Sequence, residues 1–190
     1  MIPPTCAAPI ADQTLIQYWL GELDQTAEAR IDEHVLGCVE CSERLAQIVA
    51  LADGTRTAFT QGTVRAFVTD AFVRSATKNV THVREYRVPR NGSVNCTIAP
   101  EDELLVARLE APLGGVSRID AFSYLDDEPT GVHQDIPFDA ATSEVVLTPN
   151  MAQLRAMPSH RQRYRLVAID ADGERLIGDY TFNHTAHEAA

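Results

Sequence analysis

The sequence predicts an α+β protein in which a small N-terminal zinc-binding helical bundle precedes a C-terminal antiparallel β-sandwich. Three observations predict it. Apolar residues return at intervals of three and four up to about residue 75, the period of helices that bury one face. From about Thr81 that period gives way to short alternating runs separated by turn residues, the pattern of antiparallel strands. Finally, His34-Val-Leu-Gly-Cys38-Val-Glu-Cys41, with Cys6 upstream, gathers four soft ligands near the start of the chain. Zn2+ in structural sites favours a closed tetrahedral shell of such nitrogen and sulfur donors.

The first helix is expected to start at Asp12 as N-cap, with Leu15, Ile16, Trp19, Leu20 and Leu23 as its apolar stripe and Gly21 as its stop. A second helix is expected from Asp24 to Leu36, capped by Asp24 and facing inward through Ala27, Ile31 and Val35. Gly37 is expected to end it in a left-handed conformation. His34 then projects from the last turn. Cys38 and Cys41 open a third helix, expected to run from Cys41 to Ala52 with Leu45, Ile48, Val49 and Ala52 inward. A helix N-terminus favours negative charge and so favours thiolates. A unit of about fifty residues buries little surface, and one metal ion tying three short helices to the tail compensates for that.

The run Cys6 … Tyr18-Trp19-Leu20-Gly21-Glu22-Leu23 … His34-Val35-Leu36-Gly37-Cys38-Val39-Glu40-Cys41 resembles the N-terminal domain of zinc-containing anti-sigma factors, proteins that hold bacterial extracytoplasmic-function sigma factors inactive. The resemblance covers roughly the first third of the chain. The family pattern is an early Cys or His, a Tyr-Leu-x-Gly-Glu-Leu-like stretch, then His-x3-Cys-x2-Cys. The resemblance therefore implies Cys6, His34, Cys38 and Cys41 as ligands of one structural Zn2+. Trp19 stands where the family commonly has Tyr directly before Leu, and the usual Asp before Gly is missing.

Other readings of the thiols exist. Unpaired cysteines are often buried small hydrophobes. Cys-x2-Cys can also form a disulfide, but the opening Met-Ile-Pro-Pro-Thr has neither the basic segment nor the apolar core of an export signal, so a reducing cytoplasm is expected. An accessible zinc thiolate can also act as a redox sensor. No apolar run approaches the roughly eighteen residues that span a bilayer, so a soluble protein with no membrane partner is expected.

Net charge is −11. Residues 1–60 hold nine acids against three arginines, leaving −6 on the segment expected to bind. Such a surface repels nucleic acid and suits a basic partner; a sigma factor carries basic surfaces to meet DNA. The plainer reading is a solvated face that aids solubility.

Between Gly54 and Gly62 the chain turns polar and small, which predicts a linker. A helix is expected next, with Val64, Phe67, Val68, Ala71, Phe72 and Ser75 on one face. The bland account packs it on the second domain. The sharper one, implied by the resemblance, is a helix that lays Phe67, Val68 and Phe72 into a groove on the sigma factor. Strands are expected over Val83–Val88, Ser93–Ile98, Leu104–Leu109, Ser117–Leu125, Val132–Phe138, Glu144–Leu147, Tyr164–Asp170 and Glu174–Phe182, with one helical turn over Met151–Met157. Asp170-Ala-Asp-Gly173 reads as a hairpin turn. The expected boundaries are a helical domain at 1–54, linker and amphipathic helix at 55–80, sandwich at 81–184 and a frayed tail at 185–190.

No Gly-x-Ser-x-Gly elbow, phosphate-binding glycine loop or His-Glu-x-x-His motif occurs, so an enzyme is not expected. His184-x2-His187 reads as an incidental pair, and Cys96 as a core residue. The expectation is a cytoplasmic zinc-binding anti-sigma factor that sequesters its sigma factor from core RNA polymerase. Two alternatives stand beside it. One is a zinc enzyme in which water replaces Cys6; the other is a zinc-stabilised sandwich that serves as an adaptor or a redox or ligand sensor for another regulator.

Overall fold

The computed structural model describes residues 6–170 and 173–186, which form two compact units, Met1–Thr57 and Ala58–Ala190. The first unit is helical, with α1 at Asp12–Leu20, α2 at Gln25–Gly37 and most of α3, which runs from Val39 to Thr60. Gly21 ends α1 in the left-handed region at φ 70°. Its N–H donates to the Tyr18 carbonyl, while that of Glu22 donates to Gln17. This paired closure is the one glycine serves without a Cβ clash. Asp12 is not the cap; Ala11 holds that position, and Asp12 pairs with Arg44 of α3 instead. Asp24 does cap α2, its Oδ1 accepting from Thr26 and Ala27 N–H at 2.9 Å.

Two expectations about the helix ends fail. Gly37 is helical and has no left-handed φ; the break falls on Cys38 at φ −123°, ψ 107°. Cys38 is also where α3 begins, because its carbonyl accepts the Ser42 N–H at 3.0 Å. A single extended residue thus separates the two helices, leaving no room for a glycine turn. The polar stretch expected as a linker is helical as far as Thr60. Thr55 and Thr57 return their hydroxyls to the Leu51 and Asp53 carbonyls at 2.9 and 2.8 Å, satisfying their polarity along the helix.

Among the described residues of this unit, the fully buried hydrophobic side chains are those of Leu15 and Cys41. The inward stripe of α3, at Leu45, Ile48, Val49 and Ala52, is only half-buried. So thin a core gives little hydrophobic stabilisation.

Among the described residues the second unit has nine strands: β1 Ala66–Val68, β2 Val83–Val88, β3 Ser93–Cys96, β4 Leu104–Glu110, β5 Arg118–Leu125, β6 Glu128–His133, β7 Glu144–Thr148, β8 His160–Asp170 and β9 Gly173–His184. Helix α4 spans Asp70–Ala76 and α5 spans Met151–Ala156. The strands form two sheets, ordered β1-β7-β4-β2 and β3-β9-β8-β5-β6. Both sheets are mixed, because β2 runs parallel to β4 and β3 parallel to β9. Alternate residues of both sheets, among them Leu105, Leu109, Val145, Ile119, Leu166 and Tyr180, form one buried cluster between them.

The central strands of the first sheet, β4 and β7, are buried on both faces. A second cluster of Leu104, Val106 and Val146 lies on its other side under Phe59, Val73 and Ala76. This explains why β4 is buried from Leu104 to Leu109 without alternation. It also explains the corrections in this region. The expected helix from Val64 to Ser75 is a strand followed by a short helix, because Phe67 pairs with Leu147 across β7 and Thr69 accepts the Phe72 N–H to cap α4. The expected strand Val132–Phe138 is shifted to Glu128–His133. Asp126 and Asp127, at φ 47° and 72°, form a tight left-handed turn that fixes the register after β5. Residues 171 and 172 of the expected hairpin lie outside the described residues; Asp170 and Gly173 on either side of them are paired. Of the expected frayed tail, Thr185 and Ala186 are hydrogen-bonded to Cys96 and Ser159, and 187–190 lie outside the described residues.

A buried ion network anchors α4 to this sheet. Arg108 of β4 donates to Asp70 at 2.5 Å and pairs with Glu85 at 3.1 Å and Glu144 at 3.2 Å. Arg108 and Asp70 are 8% and 6% exposed; without Arg108, buried Asp70 keeps only the exposed Arg74, and Glu85 and Glu144 keep only the exposed Arg87. Arg108→Ala is expected to destabilise the β unit by about 3–5 kcal/mol in urea unfolding followed by far-ultraviolet circular dichroism. Arg87→Ala, at an exposed end of the same network, is expected to cost under about 1 kcal/mol.

Candidate metal centre

The junction between α2 and α3 brings the soft ligands together. His34 stands on the last turn of α2, Cys38 is the single residue between the helices, and Cys41 lies in the first turn of α3. Cys6 arrives from the N-terminal segment, where its own N–H donates to Glu40 Oε2 at 2.8 Å. The ligating atoms of Cys6, His34, Cys38 and Cys41 all lie within 4.8 Å of one another. Cys6 Sγ is 3.5 Å from His34 Nε2.

Those spacings test the site for a metal. Zn–S and Zn–N bonds of about 2.3 and 2.0 Å in a tetrahedral shell set sulfur–sulfur edges of ~3.8 Å and sulfur–nitrogen edges of ~3.5 Å. The 3.5 Å separation of Cys6 and His34 matches such an edge, and edges within 4.8 Å close to this shell by small side-chain movements. The donor set, three thiols and an imidazole, fits a metal ion. Cys6 occupies the fourth corner, the position a water would need in an open site.

The sequence also sets the electrostatics. Cys38 takes the place where Ser or Asp usually caps a helix, and its sulfur accepts the Cys41 backbone N–H and, more weakly, that of Glu40. Led by the Cys41 contact, these donors hold the Cys38 thiol below its ordinary pKa. Cys6 is shifted the other way: a contact from the Ala8 backbone lowers it, but desolvation and the sulfurs of Cys38 and Cys41 outweigh that and leave it raised. Three thiols this close cannot all carry charge without a cation between them.

Two supporting contacts were not legible in the spacing. Glu40, between the two cysteines, fastens the Cys6 backbone. Tyr18 donates its hydroxyl to Asp32 of α2, and this bond to a carboxylate is the main reason its pKa is raised. The first could have been suspected from an acid inside Cys-x2-Cys; the second carried no local signal.

The other singled-out residues lie elsewhere. Phe67 packs on the sandwich core with its ring 6.0 Å from Tyr164, Val68 lies against the outer cluster, and Phe72 meets Phe59 edge-on at 4.9 Å. All three are half-buried within the second unit, divided between a strand and a helix and between the two faces of one sheet. His184 is buried in the sandwich, and His187 lies outside the described residues.

The reduced chain is expected to bind about one divalent ion, with His34→Ala and Cys38→Ser each abolishing stoichiometric binding in elemental analysis. Affinity is expected to fall as pH is lowered, since protons compete for the sulfurs. The lowered Cys38 pKa adds stability at high pH that is lost as pH falls through its folded value, whereas the raised Cys6 pKa acts in the opposite direction. Chelation should unfold the helical unit, seen by the fluorescence of Trp19, the one tryptophan in the chain, before the β circular dichroism changes.

No family model and no curated protein matches the chain. Among solved structures it is similar to the N-terminal domain of phage TP901-1 ORF48, at 9% identity over 55% of this chain and 99% of that one, with a TM-score of 0.34. A likeness of that size does not assign the chain to a family.

Proposed function

We propose that the chain is an anti-sigma factor whose zinc-clasped helical unit binds an extracytoplasmic-function sigma factor and keeps it from core RNA polymerase. The observation that carries this reading is the convergence of Cys6, His34, Cys38 and Cys41 at one helix junction, the ligand set of the anti-sigma pattern in the sequence. Zn2+ is the ion that three sulfurs and one imidazole suit best, in a structural role with no open position.

The surface of the unit supports the same reading. Leu36, Leu51 and Val39 are 89%, 73% and 69% exposed, on a segment that also carries the acidic excess. Exposed aliphatic groups among carboxylates suit a partner with apolar grooves and basic rims. Inhibition is then competition by binding, without chemistry on the partner. Among the described residues no helix is long and apolar enough to cross a membrane, and a cytoplasmic setting belongs to the same proposal.

Capture on the full-length chain from the native cell, followed by transcription with purified core polymerase, tests this. A co-purifying sigma factor whose transcription drops when the chain is added is the expected result; capture without a sigma factor, or unaltered transcription, sinks the idea. The double variant Leu36→Asp, Leu51→Asp is expected to weaken capture at least about tenfold while leaving metal content and thermal unfolding unchanged, since neither side chain contributes to a core.

A further inference from the structure

The second unit contains a cavity of about 50 Å³ near one end of its sandwich. Its walls are apolar, with Leu105 and Leu147 from one sheet, Tyr164 and Phe182 from the other, and Leu154 of α5. Its polar groups are arranged differently. His184 of β9 pairs directly with Cys96 of β3 and His160 of β8, so the three share one face of the sheet, and all three line the cavity. The rings of His160 and His184 lie 5.0 Å apart. His184 is 5% exposed, yet its Nδ1 has no hydrogen-bond partner. A buried polar atom left in that state costs free energy that a bound group recovers.

Charge narrows the class of occupant. The chain carries −11 overall, but no Asp or Glu lines this cavity. Arg65 does line it, is exposed and so stands at the open side, and has no acidic partner among the described residues. An unpaired guanidinium over an apolar recess is a receptor for a carboxylate. The volume admits only a few atoms, since each water-sized position takes about 10–15 Å³. We propose that the sandwich binds a short-chain carboxylate bearing a second oxygen, its anionic end at Arg65 and its second oxygen at His184 Nδ1. This site is independent of the metal centre and of the partner proposed for the helical unit.

The full-length chain titrated with 3-hydroxybutyrate, followed by the Tyr164 and His184 ring signals in nuclear magnetic resonance, provides the test. Saturable shifts in the millimolar range or below are expected. The uncharged 3-hydroxybutyramide and the variant Arg65→Gln, at an exposed position that leaves the core intact, should each weaken binding by about tenfold or more. Butyrate, which lacks the hydroxyl, should bind several-fold more weakly than 3-hydroxybutyrate. Absence of saturation means the cavity holds only water and overturns the proposal. Equal binding of the amide, or unaltered affinity in Arg65→Gln, overturns the carboxylate assignment, and equal binding of butyrate overturns the contact with His184.

Discussion

Three sulfurs and one imidazole nitrogen, within 4.8 Å of one another, are the constraint on which the helical unit depends. Hydrophobic burial offers little substitute, because among its described residues only Leu15 and Cys41 bury an apolar side chain fully. Cys38 concentrates the constraint. It ends one helix, begins the next, and presents its sulfur to the N–H groups that begin α3. One residue thus joins two helices and places a thiol in the Cys/His cluster, so the cluster's geometry and the helix geometry cannot vary separately.

The second unit is stabilised by a different principle. The central strands of its first sheet, β4 and β7, are buried on both faces, by the sandwich core on one side and by α4 and Phe59 on the other. Where α4 covers β4 and β7 the sheet has no solvated face for polar residues, and Arg108 and Asp70 meet there as a buried pair with Glu85 and Glu144 around them. Such a network contributes modest net stability, and the Arg108–Asp70 pair ties α4 to the sheet.

The two units also differ in what they offer to other molecules. The helical unit exposes aliphatic side chains amid carboxylates, a surface suited to a macromolecular partner. The β unit encloses its unusual chemistry, a row of Cys96, His184 and His160 beside a recess without a single acid. On the two proposals made above, one unit docks a macromolecule and the other holds a small molecule.

The sequence by itself determined the α+β class, the cap at Asp24, the stop at Gly21, the nearness of His34, Cys38 and Cys41 and most of the strands, because each rests on local spacing: a helical turn, a two-residue alternation, a Cys-x2-Cys. It did not determine where α3 ends. Thr55 and Thr57 read as linker residues until their hydroxyls are seen returning to the helix backbone. Nor did it reveal β1, since Ala66–Val68 becomes a strand only by pairing with β7 about eighty residues later. The parallel pairs and the shared cluster around Phe67 likewise depend on contacts distant in the chain. Local propensity fixes an element when its hydrogen bonds close within itself; tertiary structure decides when they close elsewhere.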